Sequence, residues 1–159
     1  MTDSATLQAL LDREAIRDLK ARYYRLLDAK NWTEFREVFT EDAHFDVESF
    51  ALIDGVDEFV AVVRGTLEGA TTVHHGHMGE ITLTGDGEAA GTWALADYVE
   101  WRSNGERRGI KGFGRYEETY RKSDGRWQIA SLCLRYTRID PLPREPLPPS
   151  VLAGPADVA

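Results

Sequence analysis

Three turn signals, Gly85-Asp86-Gly87, Ser103-Asn104-Gly105 and Ser123-Asp124-Gly125, punctuate the second half of the chain. A glycine beside Asn or Asp supplies the positive-φ residues of tight hairpins, so each signal predicts a chain reversal. Between them run Thr71–Thr84, Ala89–Arg102, Arg108–Lys122 and Arg126–Ile139, all rich in β-branched and aromatic residues. Four long strands joined by tight turns have few ways to assemble other than an antiparallel meander. Gly112 and Gly114 interrupt the third run. Glycines inside a strand mark a bulge or a sharp bend, which a strongly curved sheet requires.

The first half is helical in pattern. Leu7, Leu11, Ile16, Leu19, Tyr23 and Leu26 or Leu27 recur at helical spacing from Ser4 to Leu27, with charged residues on the opposite side. Asn31-Trp32-Thr33-Glu34 reads as a cap opening a second helix, with Trp32, Phe35 and Phe39 on one stripe. Ala43–Phe50 reads as a short strand and Asp57–Leu67 as a third helix. Helices followed by a meander predict an α+β domain. The expected form is a cone-shaped, curved antiparallel sheet with three N-terminal helices packed on its concave face, an α+β barrel with one interior. That interior is the expected ligand site. The domain is expected over residues 1–142, with a Pro-rich C-terminal tail over 143–159, because all six prolines lie beyond Asp140.

Composition narrows the partners. The chain has 159 residues and a formal net charge of −8, which disfavours nucleic acid because phosphate binding needs a basic face. No apolar run approaches the roughly 20 residues of a membrane span, and the N-terminus carries no signal-peptide pattern, so the cytoplasm is the expected compartment. Cys133 is the only cysteine, which excludes an internal disulfide and leaves it as a small apolar core residue. No Gly-rich phosphate loop follows a strand, and no cofactor is expected.

Three of the four histidines fall in Thr71-Thr72-Val73-His74-His75-Gly76-His77-Met78. Histidine titrates near working pH and is the natural proton carrier for cofactor-free chemistry. Successive strand side chains alternate, so only one of His74 and His75 faces the interior. His75 and His77 share a face but lack a third ligand, so no metal site is expected. A carboxylate that orients a base histidine would come from Asp28, which closes the first helix where the dipole disfavours an anion; capping of the following helix is its other reading. Tyr23 and Tyr24 lie near the same helix end and could polarise a substrate oxygen, or could serve only at the core edge.

Together these residues resemble the SnoaL-like group of the nuclear-transport-factor-like superfamily, which includes scytalone dehydratase, bile-acid 7α-dehydratase and a hexachlorocyclohexane dehydrochlorinase. The resemblance rests on Ala15-Ile16-Arg17-Asp18-Leu19 leading to Leu27-Asp28, on Phe39-Thr40-Glu41-Asp42-Ala43, on Thr72-Val73-His74-His75-Gly76, and on Tyr120-Arg121-Lys122-Ser123-Asp124-Gly125-Arg126-Trp127. It implies an Asp28–His74 dyad, which selects His74 over His75, with His74 as base and Asp28 as its orienter and no metal or organic cofactor. Tyr23 stands where the bile-acid enzyme has a tyrosine and the dehydrochlorinase a lysine, which implies loss of an oxygen leaving group. Leu132 stands where the dehydrochlorinase has an arginine, a departure from that pattern. Tyr24, Tyr116 and Tyr136 are the expected pocket residues.

The function expected is a dehydratase-like, cofactor-independent lyase acting on a mostly apolar cyclic small molecule. An isomerase or polyketide-type cyclase with the same dyad, or a non-catalytic binding or dimerisation module, is the alternative. A homodimer or higher homo-oligomer is expected too. Trp93, Val99 and Trp101 face one side of their strand and Ala94, Ala96 and Tyr98 the other, while Ile129 and Cys133 are read as opposed to Leu132 and Leu134. Helices can cover only one of two apolar faces.

Overall fold

The computed structural model describes residues 4–48 and 52–143. Helix α1 (Ser4–Asp28) leads through Ala29-Lys30-Asn31 into the short α2 (Trp32–Arg36), then β1 (Phe39–Val47), β2 (Ile53–Asp54) and α3 (Val56–Leu67). The meander follows as β3 (Thr71–Gly85), β4 (Glu88–Ser103), β5 (Glu106–Ser123) and β6 (Arg126–Pro141). Asn104-Gly105 and Asp124-Gly125 have φ of 51° and 80°, and of 52° and 77°. Both central residues of each pair are therefore left-handed, as the I′ hairpin turn demands.

The α+β class is the one expected, with the strands in the order β2-β1-β6-β5-β4-β3. One pairing is parallel, that of β1 with β6. The two edge strands, β2 and β3, do not meet, so the sheet curls without closing. Helix α1 packs on β3 and β6, and α3 packs on β1. Among the described residues no helix is long and apolar enough to cross a membrane. The proline-rich segment from 144 onward, and the predicted end of the first strand at Phe50, lie outside the described residues.

Four local expectations are corrected. Phe39 opens β1 instead of ending α2, because it pairs with Ile129 of β6 while the Ile129 N–H reaches the Val38 carbonyl at 2.9 Å. It still joins the aromatic core of Phe35, Phe45 and Phe59, in which Phe45 and Phe59 stack with centroids 3.7 Å apart. Leu7 and Leu11 are about half exposed. The first turns of α1 are held by polar groups instead, Asp12 accepting from Lys122 at 2.7 Å and from the Trp127 indole at 2.9 Å. Lys20 is not on the outer face of α1 but fully buried. Finally, a register shift at Thr119/Tyr120 turns Ile129, Leu132 and Leu134 all to the interior, and puts Cys133 opposite Glu117 on the convex side, half-buried rather than in the core.

Candidate active site

Asp28, the last residue of α1, is brought to β3 by the packing of that helix on the strand. Its unfavourable place at a helix C-terminus is offset by donors. Thr72 donates to Oδ1 at 2.8 Å, the His74 backbone N–H donates to Oδ2 at 2.9 Å, and His74 Nδ1 lies 2.7 Å from Oδ1. Lys30, left-handed at φ 58°, donates to Thr72 Oγ1 and brings a positive charge to the same spot. Burial opposes ionisation of Asp28, but the hydrogen bonds from His74 and Thr72 outweigh it and hold the carboxyl below the ordinary aspartate range. Burial lowers the Lys30 ammonium more than the charges of Asp28 and Glu68 raise it. The capping role left open for Asp28 falls to Asn31, whose side chain accepts from the Glu34 N–H at 3.3 Å.

His74 is 8% exposed and lines a cavity of about 730 Å³ between the concave face of the sheet, the end of α1 and α3. Alternation carries His75 to the other face, beside His77 at a ring separation of 6.0 Å. Tyr23, Tyr116 and Tyr136 are all in the cavity wall. The rings of Tyr23 and Tyr116 pack edge to face with centroids 5.9 Å apart, and burial, then the Glu118 charge, raises the Tyr23 phenol far above the tyrosine range. Tyr24, expected in the wall, is not there. Its phenol packs against β3 in the space that a Cβ at Gly76 would fill, and its hydroxyl is buried there.

The sequence reading missed one wall residue, Asp97. It is the register partner of His74 across β3 and β4 and is 6% exposed. Its Oδ2 accepts from the Tyr136 hydroxyl at 2.7 Å, while Oδ1 is buried with no hydrogen-bond partner among the described residues. Gly112 faces it from β5, and a Cβ there would overlap both Asp97 Oδ1 and the Tyr136 ring. The signal was present: Trp93, Leu95, Asp97, Val99 and Trp101 form the inward face of β4, and a lone carboxylate in such a row breaks its pattern.

Behind the tyrosine wall lies a second polar group. Lys20 and Glu118 form an ion pair with both side chains at 0% exposure. Glu118 also accepts from Tyr120 at 2.5 Å, and Tyr120 accepts from the Trp93 indole at 2.7 Å. The Lys20 ammonium sits 4.0 Å from the Tyr23 ring centroid, 4.7 Å from that of Tyr24 and 3.7 Å from that of Tyr116. Burial pulls the lysine below its ordinary range, and the Glu118 charge and hydrogen bond work against that pull.

Comparison with known proteins agrees with this architecture. A protein from Novosphingobium aromaticivorans named as a candidate scytalone dehydratase is 25% identical, with a TM-score of 0.76 over 85% of this chain and 90% of its own. A type 2 hexachlorocyclohexane dehydrochlorinase superposes at TM-score 0.80 with 18% identity, over 91% and 97% of the two chains. An NTF2-like protein with a cystatin-like fold, also from N. aromaticivorans, is 25% identical at TM-score 0.67 over 86% and 92%. Residues 8–132 match the SnoaL-like domain, and the chain belongs to that family.

Proposed function

We propose that the cavity is the active site of a cofactor-independent lyase of the dehydratase type, acting on a mostly apolar cyclic molecule. The observation that carries this reading is the double hold of Asp28 on His74, through the ring Nδ1 and the backbone N–H. With the Nδ1 proton committed to Asp28, the neutral imidazole keeps its lone pair on Nε2, the basic nitrogen available to the cavity. Nε2 takes a proton from a substrate carbon, the C–H electrons form a C=C bond, and the neighbouring C–O bond breaks. The departing hydroxyl leaves as water with the proton that Nε2 gained, so atoms and charge balance. The raised phenol of Tyr23 stays protonated, which suits it to clamp a substrate oxygen as a hydrogen-bond donor. The name of the candidate scytalone dehydratase, an elimination enzyme, supports the same class.

Mass spectrometry of neutral cyclic β-hydroxyketones incubated with the protein tests this reading, with His74→Ala as the blank. The expected result is a product lighter by one water, formed only by the wild type. A product of unchanged mass would reassign the site to an isomerase, and equal behaviour of the two proteins would remove the catalytic reading.

Self-association is part of the same proposal. The convex face presents Val73 and Phe113, 41% and 43% exposed, around Ala94 and Ala96. The convex residues of β6 are more polar than the sequence suggested, so the apolar contact belongs to β3, β4 and β5. Light scattering should show a dimer or larger at micromolar concentration, and Phe113→Asp should weaken it. A strict monomer in the wild type would refute the assignment of this face.

A further inference from the structure

Asp97, Val99 and Trp101 follow one another at every second position on the inner face of β4, and all three line the cavity. Four residues of strand span about 13 Å, so the wall runs that far from a carboxylate to an indole. On β5 the gradient is repeated, since Gly112 pairs with Asp97 and the apolar Ile110 with Val99. Trp101 remains 40% exposed, an apolar ring at the rim of the cavity between Glu100 and Arg102, which also line it. At the inner end, Asp97 brings a carboxylate to the cavity wall, with Oδ2 accepting from Tyr136 and Oδ1 packed over Gly112 without a hydrogen-bond partner among the described residues. The fully buried cation, Lys20, stands over the rings of Tyr23 and Tyr116 and is committed to Glu118. An anionic inner group would meet the Asp97 carboxylate, while the Lys30 ammonium is engaged with Thr72 beside Asp28.

Building on the proposed function, we propose that Trp101 is the outer subsite of this cavity, and that the ligand is uncharged, about three fused rings long, hydroxylated at its Asp97 end and apolar at its Trp101 end. A single ring held at Asp97 leaves the outer wall untouched. A third ring reaches the indole, where stacking and removal of apolar surface from water add affinity.

Phenol, 2-naphthol and 2-hydroxyanthracene, neutral at pH 7, are the probes, measured by equilibrium dialysis against wild type and Trp101→Ala. None of them can eliminate its hydroxyl, so binding is read without turnover. Wild-type affinity should rise about tenfold with each added ring. Trp101→Ala should match wild type on phenol and 2-naphthol and lose at least about fivefold on 2-hydroxyanthracene. Affinity that stops rising after one ring overturns the proposal. So does an equal loss on all three probes, which would make Trp101 a structural residue. Unchanged binding of every probe, with an altered particle mass for Trp101→Ala in light scattering, would instead give the rim to a protein contact. The two readings fail separately. Absence of dehydration leaves the ring series standing, and a flat ring series removes the subsite even in an active lyase.

Discussion

Replacing His74 by alanine should lower turnover by about 10² to 10⁴-fold while the fold survives, because a positioned general base contributes about that much. Asp28→Asn should be at least as informative. In the structure Asp28 Oδ2 accepts the His74 N–H, and Oδ1 accepts from the ring and from Thr72. An asparagine must keep its oxygen toward the backbone N–H, so its amide nitrogen faces His74 Nδ1 and donates to it. The imidazole then moves its own proton to Nε2 and can no longer take one from substrate. The loss expected from this tautomer reversal is on the order of 10⁴, the size seen when the carboxylate of a serine-protease triad is neutralised. His75→Ala, on the outer face, should change turnover by less than about twofold, as surface substitutions do. Wild-type rates in His74→Ala or Asp28→Asn, measured on the substrate found by mass spectrometry, would dismantle the dyad.

The second large effect falls on stability. Lys20→Ala strips the counter-ion from Glu118, which is 3% exposed with its side chain wholly enclosed. Breaking a buried pair from one side costs about 3–5 kcal/mol, a sizeable share of the roughly 5–15 kcal/mol that holds a domain folded. The urea midpoint should fall accordingly at unchanged slope. The double variant Lys20→Met with Glu118→Gln should recover most of that loss. Methionine fills the lysine's volume between the tyrosine rings, and the glutamine oxygen can still accept from Tyr120. A single variant as stable as wild type would mean that the pair carries no net charge burden in the folded protein.

The sequence by itself determined what depends on neighbours along the chain. The I′ hairpins were written in Asn104-Gly105 and Asp124-Gly125, since only such residues accept two successive positive φ values at low cost. The helical reach of α1 and α3 was legible in apolar spacing, and the choice between His74 and His75 came from alternation combined with the family resemblance. Tertiary structure decided whatever joins residues far apart. Phe39 became strand because Ile129, ninety positions on, offered it a partner, and a bulge in the β5–β6 pairing reversed the facing predicted for Cys133. Lys20 looked like any charged residue on a surface helix until Glu118 and three tyrosine rings enclosed it. The Asp28 carboxylate was visible as an anomaly at a helix end, yet its remedy, Thr72 with Lys30 behind it, exists only once β3 lies along that end. Asp97 joined the site through strand register, which sets it beside His74 and opposite a glycine that leaves it room. Backbone preferences are local and can be read in a line, whereas the hydrogen bonds that make a buried charge tolerable arise only from the packing of distant segments.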